Sequence, residues 1–191
     1  MSLNPVPGND ITEGTSSRLT TPWRAWFDSL YQYVANAPRA SFYDTGTTPN
    51  APANQVRTVT FSTTEFASNI TINSAQTQIK VAIDGCYSVN IGLQYANTNV
   101  QEQDVRCWVR KNGTDITYSA MYVSVPSSHG GVDGHVLVTW NQLINMKAND
   151  YLEICWTSDS TNISLTHYPA STSPVPYPAA ASAELNIIRI A

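Results

Sequence analysis

The chain has 191 residues, 42% of them hydrophobic and only 13% charged, with a formal net charge of −4. That length suits one well-cored domain with an extra segment. Nucleic acid is excluded as an expected partner, because phosphate contacts need clustered Lys and Arg, and Arg106, Arg110 and Lys111 are the nearest approach to a cluster.

No apolar run approaches the roughly 20 residues of a membrane span. The opening MSLNPVPGNDITEG lacks the basic and apolar regions of a secretory leader, so a soluble product made in a cytoplasm is expected. Cys86, Cys107 and Cys155 are odd in number, lie in expected strands and match no zinc spacing, which predicts free thiols packed as small hydrophobes. Three N-x-S/T sequons, at Asn69, Asn112 and Asn162, carry little weight without a leader.

Residues 1–20 are polar, rich in Pro and Gly and without periodicity, and read as an extended arm. Residues 21–38 read as a helix. Thr21 can cap it, Pro22 suits its first position and Pro38 ends it. Trp23, Trp26, Phe27, Leu30 and Val34 fall on one face at helical spacing, with Tyr31 and Tyr33 at the margins. So short a helix is marginal alone in water, and its aromatic stripe needs a partner. The β-domain of its own chain, the same helix in sister subunits, or a different protein would each serve. Residues 39–56 carry Gly46, Pro49, Pro52 and a run of Thr and Asn, and read as a linker.

The β-domain is expected over residues 57–191. Its clearest stretch runs from Ile79 to Tyr95. Ile79, Val81, Ile83, Tyr87, Val89, Ile91 and Leu93 share one parity, while Lys80, Asp84, Ser88, Asn90 and Gln94 take the other, with a bend or bulge at Gly85. Val105, Cys107 and Val109 then alternate with Arg106, Trp108 and Arg110 up to Asn112-Gly113, a strong signal for a type I′ hairpin. Further strands are expected over 56–61, 70–72, 116–125, 134–144, 151–157, 163–167 and 183–190, with Asn149-Asp150 as a turn and a Pro-rich loop over 169–178. Short strands at nearly regular spacing indicate an antiparallel sandwich or jelly roll.

The order Gly85-x-Tyr87-x-Val89, then Trp108-x-Arg110-Lys111-Asn112-Gly113, then Ala148-x-Asp150-Tyr151 and a C-terminal apolar strand resembles the C1q/TNF-like jelly roll. It is similar in particular to C-terminal domains of bacteriophage virion proteins. The resemblance covers residues 57–191 and omits the arm and the helix, and no collagen repeat precedes it. It implies an all-β, antiparallel two-sheet jelly roll assembled as a homotrimer. Trp108 and Tyr118 are then candidates for subunit contacts.

Chemistry is harder to find. His129, Asp133 and His135 lie within one Gly-rich loop and could reach one metal ion, but loops of this kind are also simply turns. Asp84, Asp150 and Glu153 read as turn or surface carboxylates, and no G-x-S-x-G elbow occurs. Neither an enzyme nor a cofactor is therefore expected. The leading expectation is a virion structural protein of a phage, a trimeric capsid decoration, cement or head-spike protein. Its arm and the stripe Trp23, Trp26, Phe27, Leu30 and Val34 would hold it to the major capsid protein or another virion protein. The alternative is a receptor-binding fibre tip, in which Tyr118, Tyr122 and the loop from Tyr168 to Tyr177 bind a host-surface glycan.

Overall fold

The computed structural model describes residues 5–8, 11 and 19–191, with Gln32 described by its backbone alone. The expected arm over 1–20 lies largely outside the described residues. The chain divides into two compact units, Met1–Ala37 and Pro38–Ala191.

The first unit contains the helix α1, Thr21–Ala35. Its first turn is closed by the Arg24 amide on the Thr20 carbonyl, and Arg24 Nε donates to the Leu19 carbonyl. Neither end carries a side-chain charge that complements the helix dipole, so propensity alone holds the helix weakly.

The second unit holds fourteen strands. They are β1 (Arg39–Asp44), β2 (Thr48–Pro49), β3 (Arg57–Thr58), β4 (Thr63–Ser68), β5 (Ile70–Ile72), β6 (Ile79–Val81) and β7 (Gly85–Asn97). There follow β8 (Gln103–Lys111), β9 (Thr114–Asp115), β10 (Met121–Val125), β11 (Gly134–Met146), β12 (Tyr151–Ser158), β13 (Ile163–Leu165) and β14 (Ala183–Arg189). All pairings are antiparallel and fall into two sheets.

In the first sheet β7 is central. β11 pairs with it along its whole length on one side, while β14 and β13 share the other side end to end, and β1 and β4 extend the sheet beyond β14. The second sheet runs β10-β8-β12-β6-β5. Consecutive long strands β7, β8, β11 and β12 alternate between the sheets except at the β8 to β10 return, and first strand β1 pairs in register with last strand β14. This is the expected antiparallel two-sheet jelly roll.

The parity read from the sequence fills the space between the sheets. Tyr87, Val89, Ile91, Leu93 and Tyr95 of β7 are fully buried and face Val105, Cys107 and Val109 of β8 and Leu152, Ile154 and Trp156 of β12. Tyr95 and Trp156 stack at the centre with ring centroids 5.4 Å apart. Gly85 is required by close approach: a Cβ there would run into the Ala191 carbonyl oxygen and the Arg189 side chain. Asn112 and Gly113 adopt φ of 50° and 78°, as a type I′ turn demands.

Three expectations about elements need correction. Residues 39–56 are not all linker, since β1 lies within the first sheet with Ala40 and Phe42 in the core. A further strand, β4, had no sequence counterpart. The expected strand over 116–125 is broken after β9 by a turn from Ile116 to Ser119. There the buried Ser119 hydroxyl bonds to the Ile116 carbonyl and accepts the Val109 amide proton, so the backbone folds back before β10 starts.

Candidate functional site

Side chains on the outer face of the first sheet come from the polar parity of β7 and its neighbours. Register places them in rows across the strands. Asn186, Asn90 and Asn141 are direct neighbours on β14, β7 and β11, forming a row of three asparagines. The adjacent row holds Ile188, Ser88 and Leu143. Beyond the asparagines on β1 and β4 lie Ser41 and Phe66.

This half of the face is open and nearly uncharged. Leu143 is 64% exposed, Phe66 48% and Ile188 47%, an apolar frame around exposed amides. Asn141 Nδ2 donates to Ser88 Oγ at 2.9 Å, holding one amide flat against the sheet. Arg39 and Glu65 stand at the rim, and Glu65 accepts the Ser41 hydroxyl at 2.8 Å.

The outer face of the second sheet contrasts with it. Arg106 lies over the Tyr122 ring at 5.1 Å from its centroid. Asp115 accepts from the Trp108 indole at 2.8 Å and from Arg110 at 2.9 Å, and the indole bond, with Arg110 beside it, holds this carboxyl below its usual range. Gln78 donates to Glu153. Arg110 and Asp115 form an ion pair here, and the other charges bond to neutral groups or face water, as on an ordinary surface. Trp108 is therefore tied into this network, while Tyr118 stands 98% exposed at a φ of 64° in the turn before β10.

The loop residues proposed for a metal separate. His129 closes a turn with Val132, and its Nδ1 lies 3.3 Å from the Ser128 carbonyl oxygen. His135 is on β11, where Nδ1 and the Tyr168 hydroxyl share a hydrogen bond of 2.6 Å. Asp133 lies close enough to Tyr168 to help raise the phenol's pKa, after the larger effect of burial. Among the described residues no three His, Cys, Asp or Glu side chains converge, so the structure does not bring His129, Asp133 and His135 together as one ligand set.

On α1, the ring of Trp23 meets those of Trp26 and Phe27 at centroid distances of 5.7 and 5.9 Å, and Trp26 meets Phe27 at 5.1 Å. Trp23, Trp26 and Leu30 are half-buried, whereas Phe27 is 41% and Val34 62% exposed. The stripe thus forms a self-stacked aromatic cluster with an open apolar end.

Sequence reasoning missed Leu137, Leu143 and Ile188. The signal was present: Leu137 and Leu143 occupy the polar parity of β11, so each makes an apolar neighbour pair with a core residue, as in Val136-Leu137-Val138 and Leu143-Ile144.

No known family model matches the chain, and no curated protein matches it. Among solved structures it is similar to the globular domain of zebrafish complement 1qA protein, at 12% identity and a TM-score of 0.45, over 81% of this chain and 98% of that one. The strand order described above, rather than this likeness, establishes the jelly roll.

Proposed function

We propose that this chain is a non-enzymatic structural protein of a phage virion, a trimeric decoration, cement or head-spike protein. Its β unit associates with copies of itself through the open half of the first sheet. The aromatic helix attaches it to the major capsid protein or another virion protein.

The observation that carries this reading is the asymmetry between the sheets. One outer face carries the Arg110–Asp115 pair and Arg106 stacked on Tyr122, while the other sets Leu143, Ile188 and Phe66 around uncharged amides. Depletion of charge with exposed apolar side chains is the composition of an interface centre. The virion assignment draws on the G-x-Y, W-x-R-K-N-G and A-x-D-Y succession, whose turns are structural in this fold. The division at Ala37 supports separate roles for the two units.

The test is deletion of residues 1–37, followed by binding to particles purified without the protein. The truncated chain is expected to keep its β-sheet circular dichroism and its trimeric state in solution and to lose particle binding. Binding that survives the deletion would reject the helix as the attachment, and absence of the protein from purified particles would reject the virion role.

A further inference from the structure

We propose that the other half of the first sheet's outer face is a binding groove for an uncharged saccharide. Its origin lies in the topology. β13 and β14 pair with the same edge of β7, so the chain between them must leave the sheet plane beside Gln94. Gln94 pins both ends of this excursion: its amide donates to the Ser182 carbonyl, and its carbonyl accepts from the Thr166 amide. The loop between stands up beside the sheet, tied along its length by the bridges Tyr168↔Ala180 and Ser171↔Tyr177. The Tyr168 hydroxyl bond to His135 then reaches across to β11.

Between this loop and the sheet lie three adjoining depressions of about 360, 350 and 390 Å³. The first two share Gln94 and Leu137, and the first and third share Ala179, Ala181 and Glu184. Each matches the lower end of small-ligand sites, which begin near about 300 Å³. Gly92 keeps the floor low at the middle of the row Glu184, Gly92, Thr139.

The lining sets the ligand class. At one end Leu137 and the Tyr168 ring, whose hydroxyl is already engaged by His135, offer an apolar wall. At the other end Tyr43, Asn90 and Glu184 present polar groups directed to no protein partner, and Glu184 is the one formal charge. An apolar wall facing amide, phenol and carboxylate acceptors and donors matches a sugar ring, which has an apolar face and a rim of hydroxyls. A lone carboxylate with no lysine or arginine in the lining disfavours phosphates and acidic sugars. The groove borders the self-association rows at Asn90 alone, and Gly92 and Glu184, the positions varied below, lie outside those rows, so its test does not depend on the virion role.

The experiment is saturation-transfer NMR on the full chain with maltose, cellobiose, N,N′-diacetylchitobiose and lactose as probes at millimolar concentration, with sialyllactose as the acidic counterpart. At least one neutral saccharide is expected to receive saturation, and sialyllactose to receive less than lactose. Gly92→Leu, which raises the floor at a position where a Cβ meets only ordinary contacts, is expected to weaken binding at least tenfold with mass and circular dichroism unchanged. Glu184→Gln, nearly isosteric, is expected to weaken it several-fold and to narrow the gap between lactose and sialyllactose, which keeps the test valid should the leucine variant misfold. Saturation of none of the neutral probes would overturn the proposal, as would binding undiminished in both variants or a preference for the acidic sugar.

Discussion

Single buried polar residues show how this fold closes its seams. Asp44, at 5% exposure, accepts from the amides of Gly46 and Ser62 and from the Ser182 hydroxyl, so one carboxylate ties the end of β1 to two other segments. Asn97 is fully buried and donates to the carbonyls of Gln101, Val125 and Pro126, stitching the top of β7 to β10. Every such bond satisfies a group whose isolation would cost about 1–3 kcal/mol. The thiols follow the opposite logic. Burial pushes Cys107 up to about 12 and Cys155 up to about 11, so neither forms the thiolate that reacts with an alkylating agent. Since the folded values lie above the ordinary one, the contribution of the neutral thiols to stability is complete below the ordinary thiol range and is lost as pH rises from there through the folded values of about 11 and about 12. Iodoacetamide at pH 8 is therefore expected to leave Cys107 and Cys155 unmodified in the native protein and to alkylate both in denaturant, as read by peptide mass spectrometry. Alkylation of either in the folded chain would contradict their burial.

At the scale of elements, the two turns that stood out in the sequence prove to hold each other. The Asn112 side chain donates to the Asp150 carboxylate at 2.7 Å and accepts the Tyr151 amide at 2.9 Å, while its backbone amide donates to the Tyr151 carbonyl. The Lys147 amide bond to Asp150, with that from Asn112, keeps this carboxyl below its usual range. Gly113, at φ 78°, occupies a backbone region that costs an L residue about 1–2 kcal/mol. Gly113→Ala should thus lower unfolding free energy by about that amount in a urea titration, with an unchanged slope. A loss under about 0.5 kcal/mol would mean the turn relaxes. These turns were legible because each is specified locally, and β7 was legible because one of its faces is dry. β1 was not, because Ser41 on its outer parity is also covered, leaving no alternation, and β4 was not, because all six of its side chains are half or fully exposed. The asparagine row was beyond reach for another reason. It depends on register among strands that lie far apart in sequence, which no local pattern encodes.

For the molecule as a whole, the distribution of charge between the sheets matters more than any one contact. A chain with so few ionised groups leaves room for a patch with none, and the fold gathers one around the asparagine row of the first sheet, with Arg39, Glu65 and Glu184 at its margins. An isolated apolar side chain on a surface means little, but Leu143 and Ile188 flank Ser88 in one row, next to three amides in the row beside it. If copies meet here, a carboxylate placed in either position is buried without a partner and repels its equivalent on the neighbouring subunit. Leu143→Asp with Ile188→Asp should therefore weaken association by at least about 2 kcal/mol, roughly thirtyfold in Kd, and shift sedimentation-equilibrium mass from trimer to monomer. Thr157→Asp, on the outer parity of β12 in the second sheet, is the matched control and should leave the mass unchanged. A wild-type chain that sediments as a monomer at micromolar concentration would remove self-association altogether. A double variant that remains trimeric would move the interface to another surface, with the exposed Tyr118 turn beside β8 the next place to introduce a charge.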